Sequence, residues 1–258
     1  MSRTVLIFKT ALRDYFSEKH NIYTYFVVIL LYELVYIVFL RVLFLNVPTI
    51  RGFGFYELLS IFGFFQIVFS LFHIMFAYFI WFQNKYLWRR GLDTVLILPV
   101  HPLYYITLKE IPGQIMEITS LFVGIIIFII GIIHVKLNVM KTLLLFPFVL
   151  SLSFSTLTGF SLILVSFGFL FYGRKGPFEV FYDIMELGQY PINIFPKVLR
   201  ILFTYVFPLF QLATLPYFNL KNISLSGMLL LSISGVLFPI LGLMLFSRSL
   251  KKYRSGGG

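Results

Sequence analysis

The sequence predicts an all-α integral membrane protein with six transmembrane helices. Three observations carry that prediction. Six long apolar runs occupy most of the 258 residues. Hydrophobic residues make up 59% of the chain and charged residues 12%, more Phe, Leu and Ile than a soluble domain of this length can bury. Of the 21 Lys and Arg, 16 fall on alternate connectors and the two terminal segments, the asymmetry that the positive-inside rule describes.

The elements follow in order. Residues 1–20 interleave Val5, Leu6, Phe8, Ala11, Leu12, Tyr15 and Phe16 with Arg3, Lys9, Arg13 and Lys19. Apolar positions three and four apart with a basic opposite face predict an amphipathic helix lying at the headgroup level. The transmembrane domain is residues 21–247. Its runs lie near Asn21 to Leu45, Tyr56 to Phe82, Gln114 to Ile133, Thr142 to Tyr172, Ile201 to Leu220 and Met228 to Phe246. A spanning helix needs about 20 mostly apolar residues to cross about 30 Å of hydrocarbon. An even number of spans puts both termini on one side, and the basic side is the cytoplasm. The tail, residues 248–258, ends in a Ser-Gly-Gly-Gly that reads as a linker remnant. No cleavable signal peptide is expected, because the first 20 residues are charged and polar rather than an apolar core. The net charge of +11 needs no nucleic acid, since cationic juxtamembrane segments beside anionic lipid account for it. With no cysteine, disulfides, thiolate metal sites and a cysteine nucleophile are excluded.

Connector lengths are unequal. The inner connectors, residues 83–113 and 173–200, are long and the outer ones short, so contacts with other proteins are expected on the cytoplasmic side. In the first, Gly91 is expected to break the long second helix. The apolar stretch of Leu92, Asp93, Val95, Leu96 and Leu98, closed by Pro99, is too short to span. It predicts a compact knob suited to docking in another protein's groove. In the second, Phe178 to Leu187 predicts a short amphipathic helix, followed by turns at Tyr190-Pro191 and Phe195-Pro196.

Polar residues at membrane depth are costly and therefore informative. Counted at about 1.5 Å per residue from the cytoplasmic helix ends, Glu33 and His73 both sit about 15 to 17 Å deep. They are expected to face each other across the first two spans, with a purely structural hydrogen bond as the plainer alternative. Gln66 is a neutral polar residue in the second span. Gln211, between Pro208 and Pro216, is a candidate pathway residue because a proline frees a backbone carbonyl that protein or water must satisfy; helix-to-helix glue is an equal alternative. Glu110 and Glu117 flank the start of the third span, where a helix dipole favours acids.

At the two inner connectors the chain resembles the ABC-2 type membrane permeases, in the branch of ABC-2 family transporter proteins. The residues that carry the resemblance are Arg89 to Leu103, with Gly91, Leu92-Asp93 and Pro99, and Gly188 to Pro216, with Tyr190-Pro191, Phe195-Pro196, Pro208 and Pro216. Leu98 stands where that branch often has Arg. The resemblance implies a type V exporter-like architecture. It implies a coupling helix on the first inner connector, here Leu92, Asp93, Val95, Leu96 and Leu98, and a pairing with a second permease, identical or homologous. ATP and Mg would sit on a separate ATP-binding cassette ATPase subunit. This chain has no GxxxxGK[ST] phosphate loop, so no cofactor is expected on it. The implied function is outward transport of an amphipathic or hydrophobic substrate across a prokaryotic plasma membrane.

Rival classes find less support in the residues. Asp14, Asp93 and Asp183 lie in cytoplasmic segments, which leaves no membrane aspartate pair for an aspartyl protease. His20, His73, His101 and His134 are too scattered for a zinc site. An ion-coupled secondary transporter is expected to carry more mid-membrane acids than Glu33. It and a structural membrane subunit remain the alternatives.

Overall fold

The computed structural model describes residues 7–13, 22–170 and 177–254. Ten helices follow residues 7–13: α1 (Ile22–Asn46), α2 (Phe55–Phe76), α3 (Gly91–Leu96), α4 (Pro102–Glu110), α5 (Glu117–His134), α6 (Val139–Gly168), α7 (Pro177–Met185), α8 (Lys197–Tyr205), α9 (Thr214–Lys221) and α10 (Leu225–Lys252). Among the described residues five segments are long and apolar enough to cross a membrane: α1, α2 with its extension to Trp88, α5, α6 and α10. Within the predicted amphipathic helix, residues 7–13 are helical, with Ile7, Phe8, Ala11 and Leu12 half-buried and Lys9, Thr10 and Arg13 exposed. The rest of that prediction, together with Arg174, Lys175 and the terminal glycines, lies outside the described residues.

The centre of the bundle is α2. In its most apolar window 78% of the residues are buried, against 17% for α1, so α1 is a peripheral helix with wide lipid-facing surface. α2 and α5 pack antiparallel and close. A Cβ on Gly63 would stand 2.5 Å from the Phe128 nitrogen, so a side chain there would force the two backbones apart. Small residues at such a contact let backbones approach where no hydrophobic effect drives helices together. Polar stitches join α6 and α10: Ser155 Oγ donates to the Gly235 carbonyl at 2.7 Å, and Ser249 Oγ to the Ser166 carbonyl at 3.3 Å. Both numberings rise together along this contact, so α6 and α10 run parallel. The rings of Phe64 and Phe146, then Phe76 and Phe154, and then Phe82 and Phe169 show that α2 and α6 also run parallel.

Since α6 and α10 point the same way, the chain between them must travel back along the bundle. Ring and side-chain contacts trace the route up α2. Phe178 lies against Phe79, Tyr182 meets His73, Gly188 abuts the Phe65 ring, and Lys221 pairs with Glu57 at 2.6 Å. α7 and the 3-10 turn after it (Glu186–Gln189) flank the lower half of α2, and α9 flanks the upper half. Thr214 Oγ1 reaches the Tyr190 carbonyl at 3.4 Å, where the halves meet. Two expectations are therefore revised. The helix at Phe178 to Leu187 is packed against α2 inside the bundle rather than standing free as a connector. The run from Ile201 to Leu220 is two short helices, α8 and α9, broken at Pro208.

The break has a local cause. In a continuous helix residue 208 would donate its N–H to the Thr204 carbonyl, and proline has none to give. Gln211 Nε2 supplies the missing bond, donating to that carbonyl at 2.7 Å. Gln211 is 1% exposed, and its truncation leaves the part-buried Thr204 carbonyl without this bond. Gln211→Leu is expected to lose about 1–3 kcal/mol of stability, read as a lower unfolding temperature in detergent. An unchanged temperature would mean the turn is held by other contacts.

Candidate functional site: a polar cavity among four elements

A cavity of about 320 Å³ lies between α1, α2, α5 and the α7 region. Glu33, from α1, is 2% exposed. Its Oε1 accepts hydrogen bonds from Gln66 Nε2 and, at 2.9 Å, from Ser120 Oγ. Its Oε2 is buried and has no partner. Glu33 and Gln66 meet because α1 and α2 run antiparallel, with Tyr36 stacked on Phe62 at 3.7 Å. Ser120 completes the group because the close α2–α5 contact brings Gly124 against the backbone of Ile67.

Two turns further along α2 is a second polar group. His73 Nε2 is 2.7 Å from the Tyr182 hydroxyl, and its Nδ1 is 3.6 Å from Glu117 Oε2. The expected Glu33–His73 pair is thus not formed. Gln66 is Glu33's partner on α2, and His73 lies about 10 Å further along that helix. The depth estimate failed because it took the basic ends of α1 and α2 as level. The mismatch lies in the register of α1, which the Glu33–Gln66 and Tyr36–Phe62 contacts set about two turns further from the basic end of α2 than level helix ends would give. The extension of α2 through a 3-10 turn and a π-helix (Gln83–Trp88) widens that offset. Glu33 and His73 nevertheless line the same cavity.

Sequence reasoning missed Ser120, Glu117, Tyr182 and Glu186 as members of this site. Glu117 and Ser120 are three apart on one helix face, a signal that was present. Glu186 and Tyr182 gave none, because their segment reads as a cytoplasmic connector. Three carboxylates, Glu33, Glu117 and Glu186, line the cavity, with no Lys or Arg. Its aromatic wall is Tyr32, Phe65, Phe69 and Tyr182. Among the described residues no three His, Asp or Glu side chains are grouped to hold a metal ion. Gln211 lies apart from this cavity, at the α8–α9 break.

The knob on the first connector divides into two faces. Arg90 adopts a left-handed conformation (φ 58°) and turns the chain. Gly91 then passes so close to the Lys85 carbonyl that a Cβ would stand 2.5 Å from it. The turn thus falls on Arg90, and Gly91 is needed for the close approach. Leu92 and Val95 are buried, and Asp93 Oδ1 accepts from the Tyr253 hydroxyl at 2.9 Å. These three hold α3 to the body. Leu96 is exposed, Leu98 is half-buried, and Ile97 between them is 82% exposed. The connector is anchored further by Glu110, which pairs with Lys85 at 2.5 Å and accepts from the Tyr86 hydroxyl, so it does more than cap a helix.

A family model described as ABC-2 family transporter protein matches residues 30–257. No curated protein and no solved structure matches the chain. The match takes in most of α1, the other four helices that are long and apolar enough to cross a membrane among the described residues, the anchored first connector and the broken α8–α9 segment, so this chain is a membrane protein of the ABC-2 transporter family.

Proposed function

We propose that the chain is the transmembrane permease subunit of an ATP-binding cassette transporter, exporting an amphipathic substrate with energy from ATP hydrolysed on a separate subunit. The observation that carries this reading is the cavity itself. An apolar bundle contains a cavity into which three carboxylates, Glu33, Glu117 and Glu186, and the imidazole of His73 are gathered. Ionisable side chains at membrane depth are costly and mark substrate pathways, so this grouping beside open volume supports a cargo site.

In this reading the chain crosses the membrane six times, with the route from α7 to α9 as the broken fifth crossing. Both termini face the cytoplasm of a prokaryotic cell, and the N-terminal helix rests on the plasma membrane surface. Lys197 and Arg200 follow the point where the chain has climbed past Phe65, so they leave the count of inner cations; the basic bias survives without them. A second permease chain, identical or homologous, completes the pathway, lipid surrounds it, and the ATPase docks on α3. The cavity's charge favours cargo with a cationic head and an apolar body. Carboxylates attract the head, and Tyr32, Phe65, Phe69 and Tyr182 offer ring faces to it.

The test is affinity purification of the chain from native membranes in mild detergent, with partner identification and an ATPase assay. A stoichiometric P-loop ATPase is expected. A chain that runs alone and shows no associated ATPase would overturn the reading and favour an ion-coupled transporter, for which intramembrane carboxylates and a broken helix are also suited.

A further inference from the structure

We propose that a second cavity, between the basic-end tips of α2, α6 and α10, is a binding site for one anionic phospholipid. This inference does not depend on the transport reading. The cavity holds about 390 Å³. The helix directions explain why it exists. α2 with its extension, α6 and α10 run parallel and end together, and the recess lies between the three tips.

The lining is split in the way a phospholipid is split. Arg248, Lys252 and Arg254 supply positive charge from the end of α10, and no carboxylate lines the cavity. Among the described residues no ion pair engages any of the three. The other side is apolar and open: Leu170 is 74% exposed, Trp88 53% and Phe167 43%. A tryptophan at the end of a span belongs at the headgroup boundary, which sets the cavity's height at the interface. Arg presents paired N–H groups that match a phosphate, while acyl chain can lie over Phe167 and Leu170. Neither a soluble anion nor a neutral lipid uses both halves. Basic recesses between helices at the cytoplasmic surface suit anionic headgroups for this reason.

The site also touches the first connector. Tyr253 lines the cavity and donates to Asp93 on α3. A lipid phosphate beside Arg248 and Lys252 would steady the end of α10 that holds this contact, so occupancy would stiffen α3.

The chain's two tryptophans make a direct test practical. With Trp81→Phe, Trp88 is the sole tryptophan and reports on the cavity. The protein is reconstituted in phosphatidylcholine vesicles and titrated with brominated phosphatidylglycerol or brominated phosphatidylcholine, which quench tryptophan on contact. Phosphatidylglycerol is expected to quench at a several-fold lower mole fraction. Arg248→Ala with Lys252→Ala should abolish that preference, while Lys109→Ala with Lys251→Ala, which removes the same charge outside the cavity, should keep it. Equal quenching by the two lipids would overturn the proposal. So would an equal loss of preference in both double variants, which would mean attraction by bulk charge alone. Relief of the quenching by millimolar inorganic phosphate or ATP would also overturn it, since the cavity would then be a site for a soluble anion.

Discussion

Glu33→Gln is expected to leave the protein folded while weakening its response to a cationic amphiphile by about ten- to a hundredfold. The amide oxygen of Gln can still accept from Gln66 and Ser120, so the bonds that hold α1 to α2 and α5 persist. What is lost is the carboxylate itself, with the Oε2 that has no protein partner. Hydrogen bonds to charged groups contribute about 1.5–3 kcal/mol, and each 1.4 kcal/mol corresponds to about a factor of ten. Glu33→Leu should do more. It leaves both donors unpaired in a buried place and costs stability as well as cargo response. Cargo-stimulated ATPase activity of the reconstituted complex, with cationic and neutral amphiphiles compared, reads the difference. If Glu33→Gln responds to the cation as wild type does, the carboxylate is structural and the cation preference is wrong.

Ile97→Asp is expected to abolish co-purification of the ATPase subunit, a loss of at least tenfold in affinity, with no change in the permease's unfolding temperature. Ile97 is 82% exposed and makes no part of the core. An apolar side chain so exposed on an anchored turn is the kind of group that an interface buries at its centre. Leu92→Asp is the contrasting variant. Leu92 is fully buried, and an unpaired carboxylate there costs several kcal/mol, so little folded protein should be recovered. Loss of the ATPase in Leu92→Asp alone would therefore say nothing about docking. Retained ATPase binding in Ile97→Asp would move the docking surface away from α3.

Hydropathy made five crossings legible because each is a single apolar helix whose length matches the bilayer. The connector helix at Phe178 to Leu187 misled for a physical reason. Apolarity reports that residues avoid water and does not report which way the chain runs. Phe178, Phe181 and Met185 make one side of α7 apolar, and from the sequence that side fits a cytoplasmic partner as well as it fits α2. Only the parallel course of α6 and α10 shows that the chain must climb through this segment. Pro208 was readable as a source of a free carbonyl, and Gln211 sits close enough to serve it, so that local chemistry was present in the residues. Glu33 was readable as a costly buried acid. Its partner was not, because the register between α1 and α2 is set by packing such as Tyr36 on Phe62, and two apolar runs give no sign of how they slide past each other. The stretch from Leu92 to Leu98 was legible as a compact apolar knob, but its division into buried Leu92 and Val95 and exposed Leu96 and Ile97 needed the turn at Arg90.

The most direct test of the account is transport by the purified complex in liposomes. The permease and its ATPase are reconstituted so that nucleotide reaches the cytoplasmic face from outside, and uptake of tetraphenylphosphonium is followed with and without ATP. The account predicts accumulation that requires hydrolysable ATP, stops with a non-hydrolysable analogue and falls in Glu33→Gln. Accumulation driven by an ion gradient with no need for ATP would contradict it.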